Sequence, residues 1–312
     1  MKKILLIGSN GYIGTYLQKK LNKLYDITCV DICWFNAPFK DVNLIKEDFN
    51  NLKKSFIQKY DIIILLAGHS SVKMCEGKFS NAFNNNVTNF INLLHKINKN
   101  QKFIYASSSS VYGSVGGKTV NENYYGFKPY NQYDISKHVA DLYAEKSEIE
   151  FYGLRFGTVC GYSPIMRSDV MINAMTTSAI ENGEIKLYIK NIMRPVLGIQ
   201  DLCRAIESII ECKEDKRGLY NLASFNKTAE QIAYEVSEVT KTPVIEYETD
   251  PTQIENQKAQ TKCYNFSIST KKFKKNFNFK FNENTESITK SIIENYNKIK
   301  LTKRDKIYNY VP

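Results

Sequence analysis

The sequence predicts an α/β protein: a doubly wound parallel sheet with a smaller mixed α/β lobe towards the C-terminus. Three observations carry this. Short apolar runs alternate with amphipathic helical stretches as far as about residue 222. The runs are almost continuously apolar, as strands covered on both faces are. A glycine-rich turn joins the first run to the first helix.

In chain order, Ile4–Ile7 reads as a buried strand and Tyr12–Leu24 as a helix with Ile13, Leu17, Leu21 and Leu24 on one face. Ile27–Val30 is a second strand, and a third ends near Asp48. Ile62–Leu66 and Phe103–Ala106 are strands separated by a helix over Ala82–Ile97. Gln132–Lys146 is a helix and Phe151–Phe156 a strand. After Gly161 the rhythm changes. Asp169–Glu181, Asp201–Glu211, Ala229–Thr240, Thr270–Asn276 and Thr285–Lys300 read as helices, with a short strand at Ile185–Ile189. Leu219–Leu222 reads as a strand returning to the main sheet. No internal repeat or low-complexity linker separates two beads. The 312 residues fit about two lobes, with the second built from insertions and the tail.

Hydrophobic residues at 43% and charged residues at 24% are ordinary for a soluble globular protein. The net charge of +11 is uneven: residues 258–312 hold thirteen Lys/Arg and four Asp/Glu, a net of +9. This tail reads as a Lys-rich helical face; it lacks a nucleic-acid-binding motif. Neither a nucleic-acid partner nor membrane insertion is expected, since no apolar run reaches spanning length. Seven cysteines without a C-x-x-C pair fit a reducing, cytoplasmic compartment. Only three histidines occur, none in a cluster with metal-ligand spacing, so no metal is expected.

Gly8-Ser9-Asn10-Gly11-Tyr12-Ile13-Gly14 follows the first strand and opens the first helix. Glycines there permit a tight turn and let backbone N–H groups approach a pyrophosphate, to which the helix N-terminus adds partial positive charge. In this position the pattern marks a Rossmann dinucleotide site. Asp31, at the end of the second strand, can accept hydrogen bonds from ribose hydroxyls and would repel a 2′-phosphate, which favours NAD over NADP. Asp48 is open to two readings, a contact to the adenine amino group or a helix cap before Leu52–Ile57. These features assign residues 1–162 and 196–222 to NAD binding, and residues 163–195 and 223–312 to a substrate lobe.

Tyr133-Asp134-Ile135-Ser136-Lys137 places Tyr133 and Lys137 four apart on one helix face. Upstream, Ala106-Ser107-Ser108-Ser109-Ser110-Val111-Tyr112-Gly113 leaves a strand end, where open α/β sheets place ligands. Together with the glycine loop, Leu66-Ala67-Gly68-His69-Ser70-Ser71-Val72, Asn86-Val87, Leu154-Arg155-Phe156-Gly157 and Arg194-Pro195-Val196-Leu197-Gly198-Ile199-Gln200-Asp201, these motifs resemble the extended short-chain dehydrogenase/reductase family, in its nucleotide-sugar epimerase, dehydratase and dehydrogenase branch. The resemblance covers most of residues 1–222.

It implies that Tyr133 takes the proton from a sugar hydroxyl, that Lys137 supports its phenolate and holds the nicotinamide ribose, and that Ser108 hydrogen-bonds the reacting hydroxyl. It implies NAD contacts from Gly8, Gly11, Tyr12, Ile13, Gly14, Asp31, Asp48, Phe49, Leu66, Ala67 and Gly68. Substrate contacts are expected from Ser108, Ser109, Thr158, Arg167, Asn173 and Arg194, with Lys262 as a second phosphate contact. Arg194 suits the substrate pyrophosphate because a guanidinium fork matches phosphate oxygens. His69 receives no role.

Family dehydratases carry an Asp-Glu pair after the catalytic hydroxyl; this chain has Ser109-Ser110, which disfavours dehydration. Ser110 and Asp169 stand where 3,5-epimerases use Cys and His. What remains is hydride chemistry at C4 of a nucleotide-diphosphate hexose or heptose, for surface-polysaccharide synthesis. Thr158 and Cys160 depart from the Asn-Val-Tyr-Gly-Pro pattern of 4-epimerases, so the balance falls slightly to a dehydrogenase that releases the 4-ketone. A 4-epimerase is the alternative, ahead of an NADPH reductase, a non-catalytic nucleotide-sensing protein or a basic-tail binding protein. The family resemblance also implies a homodimer through helices 82–97 and 132–146.

Overall fold

The computed structural model describes residues 1–35, 42–75, 79–247 and 264–299. Seven strands form one sheet: β1 (Lys3–Ile7), β2 (Asp26–Asp31), β3 (Asn43–Lys46), β4 (Ile62–Leu65), β5 (Lys102–Ser108), β6 (Glu150–Phe156) and β7 (Gly218–Leu222). Their order is β7-β6-β5-β4-β1-β2-β3, and every pairing is parallel. This is the expected doubly wound Rossmann sheet.

Alternation along the strands builds two apolar layers, one per face. Ile4 and Leu6 point to helices α1 (Tyr12–Leu21) and α5 (Ile199–Glu211), packing with Leu17, Leu202 and Ile206. Leu5 and Ile7 face the other way, towards Phe90 and Leu93 of α2 (Asn89–Leu94) and Ala140 and Ala144 of α3 (Gln132–Glu145).

A third core lies beyond the sheet. There α4 (Met171–Asn182), α6 (Ala229–Thr240) and α8 (Thr285–Glu294) pack around Ile172, Ile232, Val236, Ile288 and Ile292. The short helix α7 (Lys271–Phe277) precedes α8 and buries Phe273 against β7. A three-stranded sheet of Phe225–Thr228, Met193–Gly198 and Thr158–Cys160 joins this lobe to the main sheet. The strand predicted at Ile185–Ile189 is Ile185–Leu187, paired with Val244–Glu246.

Several boundaries differ from the sequence pattern. The first helix ends at Leu21, and β3 ends at Lys46, before Asp48. The predicted helix over 82–97 is broken: a π-helical turn occupies Asn84–Thr88 before α2. The last helix stops at Glu294, capped by Asn295, and one further turn spans Tyr296–Ile299. Among the described residues no helix is long and apolar enough to cross a membrane, and no group of three His, Cys, Asp or Glu is placed to hold a metal ion. None of the six described cysteines is in a disulfide.

Candidate active site

The carboxyl ends of the parallel strands open onto one cleft of about 760 Å³. The loop after β1 supplies its floor. Gly8 has φ +86°, a left-handed conformation that favours glycine, and a Cβ there would collide with the backbone of Ala67. Gly14 sits so tightly against the Gly8 carbonyl that no side chain fits. Gly11, by contrast, faces open space: its nearest neighbour to a built Cβ is the Gly8 oxygen at 3.5 Å. Gly11 is also the N-cap of α1, with no side-chain cap and no acid in the first turn. The leading N–H groups of this helix are therefore left for an anion.

Asp31, at the end of β2, lines the same cleft. Its carboxylate accepts from Asn10 N at 2.9 Å and Cys33 N at 2.7 Å, which ties the glycine loop to β2. Burial raises its pKa, against the two backbone N–H groups that lower it. Asp48 also lines the cleft, and it is a cap: Oδ1 accepts from Asn50 N at 2.8 Å, at the start of the 3₁₀ turn Phe49–Asn51. A glycine cradle with open space, bare helix N–H groups and a carboxylate at the end of β2 fit a dinucleotide whose adenosine ribose carries free hydroxyls.

Tyr133, Lys137 and Ser108 converge at the other end of the cleft. Asn131 caps α3 through its side chain, accepting from Asp134 N at 3.0 Å, and so sets the helix phase that aims Tyr133 and Lys137 inward. Lys137 Nζ donates to the Ala106 carbonyl at 2.8 Å and stands 5.8 Å from the Tyr133 ring centroid. Burial lowers the Lys137 pKa to about 8, opposed by the charge of Asp141. Burial pushes Tyr133 up to about 12, while a hydrogen bond from Ser108 and the charge of Arg167 pull it down. Ser108 also caps the following 3₁₀ turn, accepting from Ser110 N at 3.2 Å.

Beneath these groups lies a buried polar network. Asp141, 0% exposed, accepts from Tyr105 Oη and Ser107 Oγ at 2.9 Å and from Arg155 Nε at 2.8 Å. Arg155 in turn donates to Tyr112 Oη at 2.9 Å. The Leu154–Gly157 and Ser107–Gly113 motifs thus meet in one anchored knot that fixes the end of β5.

Among the described residues, every one expected at the site lines the cleft except Asn173. That expectation is corrected. Asn173 is fully buried; it accepts from Gly161 N at 2.8 Å and donates to Tyr12 Oη at 3.1 Å and the Arg167 carbonyl at 2.8 Å. Both amide N–H groups and one carbonyl lone pair are thus spent on the fold. Ser109 is similarly committed, donating to the Phe156 carbonyl at 2.7 Å. Arg167 lines the cleft while paired with Asp169, and Arg194 donates to the Tyr264 carbonyl at 3.2 Å. Lys262 lies outside the described residues.

The cleft also includes residues that the motifs did not signal, among them Trp34, Met74, Asn84, Asn85, Tyr264 and Phe266. The asparagine run at 84–86 was the only visible hint. Asn86 holds the loop after β4 by accepting from His69 N at 2.8 Å and donating to the His69 carbonyl at 3.0 Å. The π-turn that aims these amides is of a kind often found at functional sites.

A parallel Rossmann sheet with a dinucleotide cradle and a Ser/Tyr/Lys set at its strand ends defines an NAD-dependent oxidoreductase. Residues 4–223 match the model of the NAD dependent epimerase/dehydratase family, and the chain belongs to that family. Its cofactor is NAD. It is 30% identical over 268 residues to an ADP-L-glycero-D-manno-heptose-6-epimerase of Brachyspira hyodysenteriae, covering 78% of this chain and 83% of that one. It is 28% identical over 235 residues to Protein CapI of Staphylococcus aureus, covering 67% and 69%. Its fold is shared with the UDP-glucuronic acid 4-epimerase of Bacillus cereus, solved with UDP-glucuronic acid and NAD, at a TM-score of 0.76 and 21% identity over 96% of this chain and 99% of that one.

Proposed function

We propose that the protein oxidises the C4 hydroxyl of a nucleotide-diphosphate sugar, hexose or heptose, and returns the hydride to the opposite face, a 4-epimerisation. The observation that carries this reading is the meeting of Ser108, Tyr133 and Lys137 in one cleft with the dinucleotide cradle, with Ser109-Ser110 where a dehydratase would carry acids. Named 4-epimerases among the relatives favour return of the hydride over the release towards which the sequence leans.

In this mechanism Arg194 and Arg167 hold the diphosphate and Thr158 borders the sugar. Ser108 hydrogen-bonds O4. Tyr133, made more acidic by the Lys137 ammonium, takes the O4 proton and later gives it back. NAD held by the Gly8–Gly14 loop and Asp31 would supply the hydride acceptor and donor for C4. Asp31 selects NAD by its place at the ribose. Residues 1–162 with 196–222 act as the NAD domain, and 163–195 with 223–312 as the substrate lobe.

Release of the ketone is the second reading, and Gly157-Thr158-Val159-Cys160 is the feature that favours it. The two separate in one experiment. The protein is mixed with NAD and a panel of UDP-, GDP- and ADP-sugars, and NADH absorbance and products are followed. Epimer without net NADH supports epimerisation, net NADH supports dehydrogenation, and neither with any nucleotide sugar refutes both.

A homodimer is proposed through α3, where Ile135, Leu142 and Tyr143 are exposed at 39%, 46% and 50%. A concentration-independent monomer in light scattering would contradict it. The lack of disulfides among the described cysteines supports a cytoplasmic setting.

A further inference from the structure

The strand order puts β1 between β4 and β2, so the glycine loop after β1 lies between the loops that follow its two neighbours. Those outer loops touch. The ring of Trp34, after β2, stands 6.0 Å from the ring of His69, after β4, edge-on at 83°. Neighbouring strands are about 4.8 Å apart, so β2 and β4 are separated by about 10 Å and the contact has to cross the end of β1. Both rings line the cleft, as Gly8 and Gly11 do. The pair therefore bridges the dinucleotide cradle.

Each partner is held in place. Cys33, just before Trp34, has φ +60°, a left-handed conformation that is costly for a residue with a Cβ. Asp31 fixes that turn, its Oδ1 accepting from Cys33 N at 2.7 Å. Asn10 of the glycine loop donates from Nδ2 to Cys33 Sγ at 3.5 Å. Backbone strain kept by its surroundings clusters at ligand clamps and active sites. Opposite, His69 is 4% exposed, its backbone is clamped by the Asn86 amide, and Asn85 Nδ2 lies 3.2 Å from its Nδ1. Its Nε2 is buried with no hydrogen-bond partner among the described residues, so the fold leaves that nitrogen unspent beside the cradle. Burial and the charge of Lys137 both lower its pKa, so at neutral pH Trp34 packs on an uncharged imidazole.

We propose that Trp34 is a cofactor-binding residue: seated on His69, its indole roofs the dinucleotide over the Gly8–Gly14 loop and slows its release. The inference builds on the reading of the reaction as an epimerisation. The indole is half-buried, and a bound dinucleotide would cover more of this large, rigid apolar face. Retention matters for a reaction that returns its own hydride. NADH formed in the first half must stay until the second, and a roof over the cradle keeps it there. A dehydrogenase needs the opposite, free exchange of NADH.

The test uses the cofactor alone. Trp34 is the single tryptophan of the chain, so tryptophan emission reports on this site only. NAD, its occupancy measured by equilibrium dialysis, should quench or shift that emission as it saturates the protein. For release, NADH-loaded protein is mixed with excess NAD and the loss of bound-NADH fluorescence is timed. Trp34→Ala should speed release about tenfold, the size of one aromatic contact, felt mainly in the off-rate. His69→Leu should speed it too, and the double variant should go little beyond Trp34→Ala, because the two rings act as one clasp. Emission unmoved at full NAD occupancy, or release unchanged in Trp34→Ala, overturns the inference, and so do additive effects of the two substitutions. Failure of the epimerase reading shows separately, as net NADH or no product in the nucleotide-sugar panel.

Discussion

Lys137 Nζ stands 5.8 Å from the Tyr133 ring centroid and is held there by the Ala106 carbonyl at 2.8 Å. Burial lowers its pKa to about 8. The ammonium that supports a Tyr133 phenolate is present below that pH and lost above it. We predict that kcat/KM falls as pH rises through about 8, and that Lys137→Met loses about 10²-fold in kcat, in the range of a general-base contribution. A pH–rate profile that stays flat above 8 in the wild type would contradict this.

Arg194→Ala should raise KM for the nucleotide sugar by about ten- to a hundredfold, since a charge-assisted hydrogen bond is worth about 1.5–3 kcal/mol. kcat should change much less. Steady-state kinetics decides, and an unchanged KM removes Arg194 from the diphosphate site.

Asp31→Ala should weaken NAD binding and narrow its advantage over NADP by roughly tenfold, because the repulsion of a 2′-phosphate is lost. Part of the weakening comes from the glycine loop, which loses the anchors to Asn10 N and Cys33 N. Fluorescence titration with both cofactors measures the ratio. A preserved preference for NAD would place selectivity elsewhere.

Glu283 supplies a prediction about stability. Its Oε2 accepts from Gln200 N at 2.8 Å and Asp201 N at 2.9 Å, and burial together with the charge of Asp201 raises its pKa from 4.5 to about 7. A carboxyl with a folded pKa above its unfolded value binds more protons when folded. Its contribution to stability is therefore fully present below about 4.5 and lost as pH rises through about 7. Urea midpoints should show this fall relative to Glu283→Gln; parallel curves for the two proteins would contradict it.

The buried pair of Asp141 and Arg155 gives the largest expected loss. Asp141→Asn leaves a guanidinium that is 2% exposed without its counter-charge, at a cost of about 3–5 kcal/mol. Denaturant unfolding measures it, and a loss under about 1 kcal/mol would mean the knot relaxes.

Much of the fold was legible because each main-sheet strand is a short apolar run between helices, as at Ile62–Leu65 and Phe151–Phe156. The glycine loop, Asp31, Ser108, Tyr133 and Lys137 were legible because local chemistry fixes each at a strand end or on a helix face. The π-turn at Asn84–Thr88 was not, since its apolar spacing reads as helix. Asn173 was misread because a polar residue near Arg167 looks the same in sequence whether it meets a ligand or a backbone amide. Tyr264 was invisible for a different reason. Its partner Asp134 is 130 residues away, and no local pattern announces so long a contact.

The central claim is that Tyr133 removes the proton from a C4 hydroxyl as the hydride leaves. It is tested most directly by single-turnover NADH formation, with the nucleotide sugar that the panel selects carrying deuterium at C4. The account predicts a transient of NADH that deuterium slows and that Tyr133→Phe abolishes while still binding NAD. A transient unaffected by the label, or one of wild-type rate in Tyr133→Phe, would contradict it.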